Sequence, residues 1–164
     1  MNEAVLAVGD GHVGQLARLL ARAGLELRSV APGAPIPGSY WGEPEAGLVA
    51  SAVWCRDDTP VHSVLHEACH ALCMDSARRR GLDRDAGGDD AEECAVCLLQ
   101  LVYAEELEGV GRERLLEDMD RWGYSFRLGS ARAWYESESA DARAWLFRHG
   151  LIDAAGRGTL RARP

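Results

Sequence analysis

Apolar residues recur along this chain with helical spacing in some stretches and as short runs or alternations in others, and the switches between these patterns mark out its elements. Residues 4–8 form a short apolar run that predicts a strand. Over 13–23, Leu16, Leu19 and Leu20 fall on one helical face that Gly24 closes. The intervening Gly9-Asp10-Gly11-His12-Val13-Gly14 has dinucleotide-fingerprint spacing. A Pro/Gly-rich loop at 31–38 follows where a second strand and an acidic residue belong, so the motif reads as a glycine turn before a helix. Residues 39–41 and 48–56 predict a hairpin across a turn-like segment.

The best-marked helix follows. Thr59 is the expected N-cap and Pro60 the first helical residue, Asp57 and Asp58 complement the positive end, Arg78 to Arg80 the negative end, and Gly81 is the stop. After a polar connection, a second strong helix is predicted from Ala91 to about Glu108. Further helices cover 111–122 and 131–149, the last interrupted around 137–139, and 157–164 reads as a frayed tail. The predicted class is α+β, a small antiparallel sheet with helices packed on it.

Composition narrows the function. The 164 residues are 47% hydrophobic, enough for one domain with a proper core. That domain spans 1–164, with a site-bearing core at about 36–108 and a helical C-terminal part at about 109–156. A net charge of −8 argues against nucleic acid and anionic membrane surfaces as partners. No apolar run suits a membrane span and Met-Asn-Glu lacks a basic leader, so a cytoplasmic location is expected. Cys55, Cys69, Cys73, Cys94 and Cys97 then read as reduced thiols.

The chemistry concentrates at His66-Glu67-Ala68-Cys69-His70. Imidazoles at i and i+4 lie one turn apart on one helix face and can reach a common ion. Zinc accepts such ligands and, in catalytic sites, keeps a fourth position for water, with Glu67 placed to serve as general base. His62 continues the i,i+4 row as a substrate contact or unusual ligand, though a first-turn surface histidine is the simpler reading. Cys69, Cys73, Cys94 and Cys97 offer an alternative four-thiolate structural site, which leaves the histidine motif unexplained. Tyr103, Tyr124 and His149 are candidates for stabilising an oxyanion.

Glu92-Glu93-Cys94-Ala95 supplies an E-x-x-A motif beginning 22 residues beyond His70. On these two motifs the chain resembles the gluzincin branch of the zincin metallopeptidases, particularly its small cytoplasmic members, over about 36–108. The resemblance implies a zincin-like fold and one zinc ion per chain. It also implies Glu92 as the third ligand beside His66 and His70, and a peptide or protein substrate added as a strand along 48–56. The Asp or Asn that often follows the alanine is Val96 here. The expected function is a zinc-dependent peptidase or amide hydrolase with Glu67 catalytic. The alternative is a zinc-stabilised interaction module of the same fold without turnover.

Overall fold

Twelve of the thirteen residues of one helix, Val61–Cys73, are buried, which makes it the axis about which the other elements assemble. The computed structural model describes residues 4–82, 87–124 and 129–164. Its elements run α1 (Val13–Arg22), β1 (Glu26–Ser29), β2 (Gly47–Val49), β3 (Ala52–Cys55), α2 (Val61–Cys73), α3 (Ser76–Gly81), α4 (Asp90–Ala104), α5 (Gly111–Trp122), α6 (Ala131–Glu138) and α7 (Ala140–Arg148). The architecture is α+β. No helix among the described residues is long and apolar enough to cross a membrane.

The sheet is mixed rather than antiparallel. β3 is its centre, parallel to β1 and antiparallel to β2. The 48–56 segment is not one strand but a tight β2–β3 hairpin that turns at Ala50, whose φ is 51°. Residues 39–41 form no strand, and residues 4–8 make only an isolated bridge, Ala7 to Pro60. β3 is paired on both sides, and the chain at 37–39 packs closely against Gly47 of β2. A Cβ on Gly47 would lie 1.8 Å from the Pro37 carbonyl oxygen and 2.5 Å from the Ser39 nitrogen.

The predicted helix from Pro60 to Arg80 is two helices. α2 begins one residue later than expected because Thr59 accepts from the Arg56 amide and so serves the preceding turn. The Val61 amide instead donates to the Leu6 carbonyl at 2.8 Å. Met74 leaves the helix with ψ of 154°, and Asp75 caps α3 by accepting from the Arg78 amide at 2.9 Å. Arg79 then reaches back and donates to the carbonyls of Ala71 and Met74, both at 2.7 Å. The arginine run still serves the negative end of α2, but from a separate helix.

α4 lies against α2 on one side and α7 on the other, and buries Ala95 through Leu101 without interruption. One hydrophobic cluster runs from Val8 in the N-terminal turn to Ile152 beyond α7. The C-terminal residues are docked rather than frayed. The Leu160 amide donates to Tyr103 Oη and the Arg163 amide to the Leu72 carbonyl, both at 2.9 Å, while the Arg163 carbonyl accepts from Arg79 at 2.7 Å. At about 0.5–1.5 kcal/mol net per bond, deleting residues 160–164 is expected to cost roughly 2–4 kcal/mol. A urea midpoint equal to that of the intact chain would show that the tail contributes nothing.

Candidate metal centre

α2 carries His66, Glu67 and His70, and α4 packs against it with Glu93, Cys97 and Gln100, spaced i, i+4 and i+7 and so on one face. Three donors meet between the helices. His66 Nε2 lies 3.1 Å from His70 Nε2 and 3.2 Å from Glu93 Oε1, and His70 Nε2 lies 3.2 Å from Glu93 Oε2. A tetrahedral ion with bonds of about 2.0–2.1 Å separates its ligands by about 3.3 Å. All three edges of the cluster are close to that span, so the donor set fits a small ion such as zinc. Among the described residues this is the one group of histidine, cysteine and carboxylate ligand atoms gathered tightly enough to hold a metal. The four cysteines form no such group.

The carboxylate at this position belongs to Glu93, not to Glu92. Neighbouring helical residues point about 100° apart, so only one of the two can face α2. Glu92 is turned to α3, where Arg78 clasps it with Nη1 to Oε2 at 2.8 Å and Nη2 to Oε1 at 3.0 Å. Its side chain is 7% exposed, and its amide is capped by Asp89 at 2.9 Å. This arrangement follows from the break at Met74, because α3 starts in a new direction and brings a guanidinium over the first turn of α4.

Gln100 carries no motif signal, yet it holds the site together. Its Nε2 donates to the His62 carbonyl at 2.8 Å, which fixes the amide orientation because a carbonyl can only accept. Its Oε1 therefore faces His66 Nδ1 at 3.1 Å and must accept from it. A proton therefore sits on Nδ1, and Nε2 is the ring atom turned toward the cluster. The same Nε2 also donates to the Tyr124 hydroxyl at 3.2 Å. His70 Nδ1 is buried with no hydrogen-bond partner among the described residues.

Burial would raise the Glu93 carboxyl, but hydrogen bonds from His66 and His70 reverse this and hold it well below the usual carboxylate range. Burial would likewise lower His66, but Tyr124, Cys97 and Glu93 outweigh it and hold the ring above its ordinary value. Glu67 is 8% exposed, accepts no hydrogen bond among the described residues, and is pushed up by burial. His62 is pushed down to about 3 by burial and the nearby His66 charge. It packs on Trp122 and meets Tyr124 Oη at 3.1 Å, outside the ligand group.

His66, Glu67 and Glu93 open onto a cleft of 1030 Å³ whose walls include Trp41, Trp122 and Trp134. Of the three oxyanion candidates only Tyr124 lines it, its ring 5.7 Å from that of His66. Tyr103 is engaged by the C-terminal tail, and His149 stacks on Trp145 at 4.2 Å. Glu45, which no sequence pattern marks, accepts from Ser63 Oγ and Trp122 Nε1 at the cleft wall. No family model, curated protein or solved structure matches the chain.

Proposed function

We propose that the chain is a zinc-dependent metallohydrolase, a peptidase or amide hydrolase, with His66, His70 and Glu93 as ligands and Glu67 as general base. The observation that carries the reading is the convergence of two imidazoles and a carboxylate, at the edge lengths of a tetrahedral site, beside a buried carboxylate that nothing else engages. The metal would supply Lewis acidity toward water and toward a scissile carbonyl.

The side chains supply the rest. Gln100 holds His66 in the tautomer that offers Nε2. Glu67 stands one residue from that ligand, in a buried setting that raises its carboxyl above the usual range, toward the pH where a base can both take a proton and return it to a leaving amine. Tyr124 closes the wall beside His66. The donor set of two nitrogens and one oxygen is also that of known catalytic zinc sites, which use three protein ligands and leave one position open.

Elemental analysis tests the assignment directly. The purified protein should contain one zinc per chain, and His66→Ala and His70→Ala should each lose it. Metal retained in both variants would sink the site and redirect attention to the cysteines.

A further inference from the structure

α2 and α4 run antiparallel, and this orders the residues along the cleft. Gln100 of α4 bonds to His62 and His66 of α2, and Glu93 to His66 and His70, so falling numbers along α4 run with rising numbers along α2. The donor cluster lies partway along that axis, not at its end. On one side the wall continues to Ser63, one turn before Glu67, and to Glu45 and Trp122, which are tied to it: Ser63 Oγ and Trp122 Nε1 both donate to the Glu45 carboxylate. On the other side it continues past Glu93 to Ala91 and Asp90 in the first turn of α4. At about 1.5 Å per residue, the lining stretch of α4 from Asp90 to Cys97 spans about 10 Å, about 4.5 Å to one side of Glu93 and about 6 Å to the other. An extended peptide advances about 3.3–3.6 Å per residue, so the wall flanks the cluster by more than one residue each way. The cleft's 1030 Å³ is also at the upper end of pockets that hold an entire drug-sized molecule, roughly 300–1,000 Å³, and far exceeds what one amide bond needs.

We propose that the cleft takes an internal segment of a peptide chain, with residues on both sides of the bond held at the donor cluster, so that the reaction is endoproteolytic. The proposal rests on the reading of the cleft as the site of a peptidase. A site that trims chain ends closes within about one residue of the reacting bond, about 3.5 Å, because the charge of the terminus is its handle. Here the wall runs past that distance in both directions. Hydrolysis then breaks one internal C–N bond: water gives its hydroxyl to the carbonyl carbon and its proton to the nitrogen, and two shorter peptides leave. The substrate class is an extended or unfolded stretch of polypeptide, whereas small amides and dipeptides fill only part of the cleft.

Trp41 and Trp122 line the cleft, so their fluorescence reports its occupancy. The Glu67→Gln chain, whose turnover is expected to be slow, is titrated with acetylated and amidated dipeptides, tetrapeptides and hexapeptides of mixed sequence. Affinity should rise about tenfold or more from dipeptide to hexapeptide, because each added residue removes more of the wall from water. Freeing either terminus should change it by less than about twofold, as for a charge left in solvent. Zinc-loaded wild type should cut blocked decapeptides of mixed sequence at internal bonds, read by mass spectrometry. Affinity that stops growing at the dipeptide, or cleavage confined to peptides with a free end and proceeding one residue at a time, would overturn the proposal. Lack of zinc or of any cleavage fells the metallohydrolase reading instead, and the length series still decides whether the cleft takes an internal segment.

Discussion

Glu93→Ala is expected to lower zinc affinity by about two orders of magnitude or more, because removing one of three protein ligands leaves a poor site. Glu92→Ala should keep the metal. The two residues are adjacent and both acidic, so composition, net charge and local helix propensity change equally in the two variants; only the direction of the side chain differs. Glu93 spans the two Nε2 atoms at 3.2 Å each. Glu92 forms a two-point pair with Arg78, whose side chain is 34% exposed. Loss of the Glu92 partner leaves a guanidinium that water can partly reach, at a cost of roughly 1–3 kcal/mol. Competition against a chromophoric chelator and urea unfolding of the metal-free proteins should therefore rank the variants in opposite orders. If Glu92→Ala were the variant that lost zinc, α3 and α4 would have to rearrange on binding and the role would pass to Glu92.

What separates these two glutamates also separates what could and could not be read from the chain. His66, Glu67 and His70 were legible because their relation is local: four residues of one helix fix the angle between two imidazoles whatever surrounds them. α1, α5 and the pause at Ser139 between α6 and α7 were legible for the same reason, from periodicity and capping. The third donor depends on which face of α4 meets α2, and that is set by the break at Met74. The break was hidden because Ser76 to Arg80 continue with good helix formers, and only Asp75, a cap in the middle of the run, announced it. β1 is not legible because Glu26–Ser29 is short and largely exposed, without the alternation that marks a half-buried strand. Gln100 carries no spacing rule at all. Its importance comes from contacts with residues 34 and 38 positions away, His66 and His62. The docking of the C-terminal tail is not legible in its sequence, because it is held through backbone bonds to Tyr103, Leu72 and Arg79 rather than by a side-chain pattern.

Glu67→Gln is expected to retain one zinc per chain and to lower hydrolysis by about 10²- to 10⁴-fold, the range that positioned proton transfer contributes. Glu67 is absent from the cluster of converging donors, so the amide leaves the ligand set intact. Glutamine matches the shape of the carboxylate and its volume in a site that is 8% exposed, so packing against the cleft wall is kept. What it removes is an atom that can accept a proton and return it. The zinc-stabilised interaction module makes the contrary demand: it has no use for a basic group between two ligands, and a neutral isostere there changes nothing. A quenched fluorescent peptide library of mixed sequence, incubated with zinc-loaded wild type and variant at matched metal content, decides between them. Cleavage by the wild type with loss in Glu67→Gln supports the hydrolase. Equal cleavage by both assigns the proton transfer elsewhere, and zinc-loaded wild type that cleaves nothing in the library while binding its members favours the module.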